Sequence, residues 1–212
     1  MTGVIRLAIA FWFVSLSLAG CLGLGPKPDR SRFFTLSALP QVEEASVKDS
    51  AKLEGVSLGI GPLKFAGYLD RQEIVIRSDQ NRIEISENDR WAESLQENFA
   101  RVLAQDLAGL LRTDRVIAFP WPNDRKPKYQ IDIEVLRFEA NRAGDAGLLA
   151  RWGVIDGGTG KRLSFKESRL TRPAKEKTTD AMAAALSETV GDLSREMAEA
   201  IRAIEKGGRS LK

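Results

Sequence analysis

Histidine is missing from the chain altogether. Its absence removes the commonest general base near neutral pH, any serine–histidine–aspartate triad and the usual zinc ligand. Cysteine occurs once, at Cys21, so no intramolecular disulfide can form. No apolar run reaches the roughly 20 residues that a membrane-spanning helix needs. Charge is nearly balanced as well, with 32 Lys and Arg against 29 Asp and Glu. That excess is too small for nucleic-acid binding, and no block of five basic residues occurs. These absences argue against an enzyme, a metal protein and a nucleic-acid binder, and no cofactor is expected.

Two weak chemical patterns remain. Asp132 and Glu134 project from one face of a strand, as a glycosidase pair would, but the same pattern is the wet face of an amphipathic strand. Gly157–Lys161 is glycine-rich like a phosphate loop. The places where a P-loop needs its first Gly and its Ser or Thr hold Ile155 and Arg162, so the segment reads as a hairpin turn. No catalytic residue is assigned.

The N-terminus is the most informative stretch. Arg6 supplies a positive start, Leu7–Leu16 is apolar, and Leu18-Ala19-Gly20-Cys21 follows. This order fits a signal peptide over residues 1–20, too short to span a membrane. Leu18, Ala19 and Gly20 before Cys21 match the lipobox cut by lipoprotein signal peptidase, so Cys21 is expected to carry the acyl chains. Each inserted methylene contributes about 0.8 kcal/mol, and two or three chains anchor durably where one does not. Position 22 is Leu rather than Asp, which by the enterobacterial sorting habit directs the product to the periplasmic side of the outer membrane. Residues 21–31 form the lipidated cysteine and a Gly- and Pro-containing tether, about 30 Å long when extended.

The remainder reads as a single domain over residues 32–206, with a disordered tail at 207–212. Short strands are predicted at 33–36, 55–61 and 116–119. A hairpin pairs 73–77 with 82–86, placing Ile83 and Ile85 toward the core. Further strands are predicted at 129–138, 148–155 and 162–171, with a loop over 41–54. One helix carries Leu95, Phe99, Val102, Leu103, Leu107, Leu110 and Leu111 on a stripe, with Asn88 or Asp89 as its cap. A second runs from Thr179 to Ile204. The fold expected is α+β: a largely antiparallel mixed sheet of about seven strands with two long helices packed on one face.

Three short segments, taken together, resemble a known family. They are Phe33-Phe34-Thr35-Leu36, the stretch Gly61–Arg77 containing Tyr68-Leu69-Asp70-Arg71, and Arg90-Trp91-Ala92-Glu93-Ser94-Leu95. Their order behind a lipobox resembles the PqiC family of ABC-type transport auxiliary lipoproteins. Gln72 and Ser94 depart from it, standing where that family often has Pro. The resemblance implies a non-enzymatic adaptor that works with an MCE-domain protein and its permease and ATPase in lipid transport, possible as a homo-oligomer. A docking module needs exposed aromatic and Arg side chains rather than a reactive group. The candidates for partner binding are Tyr68, Leu69, Asp70 and Arg71 in a loop between strands, and Trp121 between two prolines. A second reading makes the domain a carrier that holds lipid or another apolar ligand between sheet and helices.

Labelled palmitate is expected to enter the wild-type product in cells and to be absent from Cys21→Ser. Equal labelling of the two would refute the anchor.

Overall fold

The computed structural model describes residues 29–40, 53, 55–122 and 126–209. All the elements below lie in one compact unit that begins at Ser31. Eight strands and two long helices follow in chain order among the described residues: β1 (Arg32–Phe34), β2 (Leu58–Phe65), β3 (Glu73–Asp79), β4 (Arg82–Trp91), α1 (Leu95–Leu111), β5 (Val116–Ala118), β6 (Tyr129–Asn141), β7 (Asp145–Asp156), β8 (Arg162–Pro173) and α2 (Thr179–Arg209). A 3-10 turn at Gly67–Leu69 separates β2 from β3.

The sheet branches at β6. One edge of β6 pairs antiparallel with β7 over almost its whole length, and β7 pairs antiparallel with β8. The other edge is shared by two strands running parallel to it. β2 pairs as far as Phe65↔Val135, and β3 takes over at Ile76↔Ala140. β2 carries β5 on its far side, and β3 carries the antiparallel β4 and then β1. The long ladders β6–β7 and β7–β8 are antiparallel, while the parallel ones are shorter, two at the branch on β6 and two at the outer strands β1 and β5. The α+β architecture expected from the pattern is present, with one strand more.

Period-two patterning explains which side is covered. Leu58 and Ile60 of β2, Ile131, Ile133 and Val135 of β6, and Leu148, Ala150, Trp152 and Val154 of β7 join one core with the apolar stripes of both helices. Phe99 of α1 sits at its centre, fully buried, with Phe65 and Phe138 edge-on at 5.4 Å each. The opposite face is wet. Lys64, Glu134, Arg151 and Glu167 stand in one cross-strand row of alternating charge, all exposed.

The segment Ser31–Pro40 straps the two helices together. Arg32 Nε donates to Asp89 at 2.7 Å, and Thr179 Oγ1 donates to the same carboxylate at 2.6 Å. Asn98 of α1 donates to Thr35 Oγ1, the Ser37 N–H donates to Ser187 of α2, and the Leu39 N–H donates to Asp106 of α1 at 2.7 Å. Asp106 is buried, and its second oxygen accepts from Ser194 of α2 at 3.0 Å. Burial pushes the Asp106 carboxyl up from its ordinary range against these two bonds. Gly191 of α2 lets the strap lie close, since a Cβ there would lie 2.5 Å from Leu39 Cδ2 and push that side chain aside.

Three expectations need correction. Ile83 is only half-buried and Ile85 is 47% exposed, because the β3–β4 hairpin runs out past the helices that would cover it. Neither Asn88 nor Asp89 caps α1. β4 continues to Trp91, Ser94 occupies the cap position, and Asp89 is taken by Arg32 and Thr179. α2 extends to Arg209, into the segment read as a tail, because Tyr129 Oη donates to Glu205 at 2.7 Å and Lys128 pairs with it, holding the last turns. Most of the loop read at 41–54 lies outside the described residues.

Phe99→Ala removes the ring that both neighbouring phenylalanines contact. It is expected to lower unfolding free energy by about 3–5 kcal/mol, measured by urea denaturation.

Candidate functional site

A β-strand demands a hydrogen-bond partner for every buried backbone group on its edge. Between Val135 and Ala140 neither β2 nor β3 reaches that edge of β6. The interval is filled by Ala66–Gln72, which leaves the sheet where β2 stops and rejoins it where β3 starts. The Ala66 N–H donates to the Val135 carbonyl at 2.9 Å, extending the β2 ladder by one residue. The 3-10 turn then brings Tyr68 over the gap. Its hydroxyl lies 2.7 Å from Glu139 Oε2 and 3.4 Å from the Leu136 carbonyl.

Glu139 is the hub of this arrangement. Its side chain is 1% exposed and accepts from Tyr68, from Arg77 Nε at 2.6 Å, from Arg137 Nε at 3.2 Å and from the Phe138 N–H at 3.0 Å. Burial pushes its carboxyl up, but the bonds from Tyr68 and Arg77 outweigh that and hold it below the usual carboxylate range. The same geometry pushes the Tyr68 phenol far up, through burial first and then its bond to Glu139.

The four loop candidates therefore divide. Leu69 is 2% exposed and belongs to the core, and Tyr68 is half-buried and bound to Glu139. Asp70 is exposed. Arg71 is half-exposed, with Nε donating back to the Tyr68 carbonyl at 3.1 Å. These two side chains border a cavity of about 190 Å³ whose apolar lining is Phe65, Leu69 and Leu95, at the start of α1. Trp121 lies elsewhere. It covers Gly59 near the start of β2, where a Cβ would come within 2.7 Å of its ring, and it meets Phe119 edge-on at 5.2 Å. Gly59 and Phe65 are six residues apart on β2, roughly 20 Å, so the structure does not bring Trp121 and the loop together. Leu18, Ala19, Gly20 and Cys21 lie outside the described residues.

Glu139 and the cavity residues Phe65 and Leu95 were not singled out from the sequence as site residues. The signal for Glu139 is a slip of phase: Ile131, Ile133 and Val135 alternate, and the next large core residue is Phe138, three positions on. The pairing with β7 shifts register there, which turns Glu139 away from the helices and toward Tyr68. Among the described residues no group of acidic residues is placed to hold a metal ion, and no helix is long and apolar enough to cross a membrane.

The pH dependence of stability follows from Glu139. A carboxyl held down in the folded state contributes stability above its unfolded pKa and loses it as pH falls through the folded value. Glu139→Gln leaves Arg77 and Arg137 without their acceptor charge. It is expected to cost about 3 kcal/mol near neutrality and to reduce the loss of stability on acidification, measured by denaturant titrations across pH.

Two solved structures share the fold. One, a crystal structure of an uncharacterized protein, has a TM-score of 0.66 at 16% identity, with 81% of this chain and 98% of that chain covered. The other, protein XCC0632 from Xanthomonas campestris, described under the family model DUF330, has a TM-score of 0.64 at 14% identity, with 84% and 99% covered. Among curated proteins, none matches the chain. The model of the ABC-type transport auxiliary lipoprotein component family matches residues 34–198, from the end of β1 to the middle of α2. By that match the chain belongs to the family of ABC-type transport auxiliary lipoprotein components.

Proposed function

We propose that the chain is held by acyl chains on Cys21 at the periplasmic side of the outer membrane. There it serves as the adaptor of an MCE-domain protein in a lipid-transport system driven by a permease and its ATPase. The observation that carries this reading is the family match over residues 34–198. Two further features support it. The chain has no histidine and, once Cys21 is acylated, no free thiol, so its chemistry suits docking rather than turnover. The Tyr68–Arg71 loop is pinned from below through Glu139 while Asp70 and Arg71 remain at the surface, a pre-ordered patch of the kind that binds at low entropic cost.

The cavity behind that patch matches a protein contact better than a lipid site. Pockets for small ligands run from about 300 to 1,000 Å³, against about 190 Å³ here. A single apolar side chain from a partner fits that volume, with Asp70 and Arg71 pairing with charges around it. No observation favours the carrier reading over the adaptor.

Affinity purification of the full chain from its own cells tests the reading. Wild type is expected to retain an MCE-domain protein, and Arg71→Glu to weaken that binding by about tenfold with an unchanged melting temperature. Unchanged retention by Arg71→Glu rejects the loop as the contact, and failure of the wild type to retain any MCE protein rejects the adaptor role. Tyr68→Phe serves as a control, since it loosens the loop from Glu139 without altering the surface charges.

A further inference from the structure

Several element ends meet at one pole of the domain. Leu58 opens β2, with Val116 of β5 and Tyr129 of β6 beside it in register. Asp156, the last residue of β7, pairs with Tyr129, and the β7–β8 turn follows it. Both helices finish here as well. The Leu58 N–H donates to the Arg115 carbonyl just past α1, and Lys128 pairs with Glu205 in the last turns of α2. Phe119 and Trp121 stand at this pole. Phe119 is 53% exposed and meets Trp121 edge-on at 5.2 Å. Trp121 and Pro127 both lie against Gly59, where a Cβ would come within 2.6 Å of Pro127 Cγ and 2.7 Å of the Trp121 ring. The two aromatic rings are thus propped on the backbone of β2, and neither joins the core.

The exposed charge at this pole is mainly cationic. Arg112 ends α1, Arg115 directly precedes β5, Lys126 directly precedes Pro127, and Lys161 closes the β7–β8 turn. All four are exposed, and none makes an ion pair among the described residues. The acids are mostly taken. Asp156 accepts from the Gly158 and Thr159 N–H groups of its own turn, and Glu205 is buried between Tyr129 and Lys128, which leaves Asp114 exposed beside Arg115. Residues 123–125, outside the described residues, add one acid and one base. A strand-adding partner does not suit this edge, since β5 has three residues and Pro120 behind it has no N–H to donate. A bilayer does. Aromatic rings settle at headgroup level, and each Lys or Arg near an anionic surface strengthens binding by about fivefold.

We propose that this pole rests on an anionic bilayer surface, with Phe119 and Trp121 at headgroup level and Arg115 and Lys126 against lipid phosphates. The proposal rests on the Cys21 anchor, which brings the chain to a membrane. Residues 21–31 reach about 30 Å when extended, longer than the roughly 25 Å of the eight-residue β2, so the anchor leaves this pole free to come down. An anchor alone fixes distance but not orientation. The second contact supplies orientation: Gly59 and Phe65 lie toward opposite ends of β2, so with Trp121 on the bilayer the Asp70–Arg71 patch faces away from it. A partner arriving across the periplasm then meets that patch first.

Tryptophan fluorescence tests it, because Trp91 and Trp152 are buried in the core and Trp121 is not. The chain is purified from cells in detergent and reconstituted into vesicles of phosphatidylcholine brominated high on the acyl chains, with or without phosphatidylglycerol. Comparison with Trp121→Phe in the same vesicles isolates the emission of residue 121. With phosphatidylglycerol present, that emission is expected to fall by roughly half, as for a ring held at the interface. Arg115→Glu combined with Lys126→Glu is expected to remove most of the quenching while keeping a wild-type melting temperature. Flotation with the neutral vesicles reports the anchor separately. A chain that does not float there refutes the anchor, and the orientation with it. A chain that floats while Trp121 stays unquenched in the anionic vesicles overturns the proposal and leaves the pole to a protein partner. Equal quenching in neutral vesicles, or in the charge-reversed variant, overturns it too.

Discussion

The edge of β6 is the constraint on which the rest of this structure depends. A 13-residue strand buried in the middle of a sheet must have its backbone groups satisfied on both sides. β7 meets that demand on one side with an almost unbroken ladder. On the other side β2 and β3 behave as a single strand cut in two, running in the same direction along β6 with Ala66–Gln72 looped out between them. The cut has a cost, since the carbonyls of β6 across the gap lose their strand partner. A main-chain bond to Val135, the Tyr68 hydroxyl near the Leu136 carbonyl and the Glu139 network offset it. The loop that carries the candidate contact is thus held by the same bonds that complete the sheet.

The strap works by similar reasoning at the other layer of the domain. Each helix carries polar groups on its buried side, Asn98 and Asp106 on α1, Ser187 and Ser194 on α2. Packed directly against each other they would leave donors and acceptors unmatched, which costs more than their bonds contribute. The segment Thr35–Leu39 supplies the missing partners from its own main chain and from Thr35. It follows directly on the residues read as the tether, so the proposed anchor would join the domain at a segment fastened to both helices. A tether ending in a freely hinged strand would pass little force or orientation to the body it holds.

Much of this was legible in the sequence because it rests on periodicity. The α1 and α2 stripes, the alternation of β6 as far as Val135 and the tight turn between β7 and β8 are local patterns, and the elements stand where those patterns place them. The failures share one cause: they depend on contacts distant in sequence. Asp89 looks like a helix cap, yet Arg32 and Thr179 claim it from 57 and 90 positions away. Ile83 and Ile85 alternate as a buried face should, but nothing local tells how far a hairpin projects beyond its helices. Tyr68 reads as a surface aromatic until Glu139, 71 positions on, is brought beneath it. The expected lipobox is different in kind, because a peptidase would read it as linear sequence and the described residues do not include it.

The charge pattern of the open sheet face bears on where a partner would bind. A face whose neighbouring strands carry Lys64, Glu134, Arg151 and Glu167 in turn alternates in sign, with Arg151 and Glu167 ion-paired at 3.0 Å, so a flat partner laid over it would desolvate charges that stand beside their opposites and gain little. Arg162 does the same one row away, reaching Asp132 in two contacts and stacking over the Phe165 ring above Gly153. Two kinds of place remain where the ladder stops: the interruption between β2 and β3, completed by a loop that leaves Asp70 and Arg71 at the surface, and the outer edges of β1, β5 and β8. Both are backbone-defined, which is why a chain with so little reactive chemistry can still present specific surfaces. Specificity in such a protein is set by where strands begin and end.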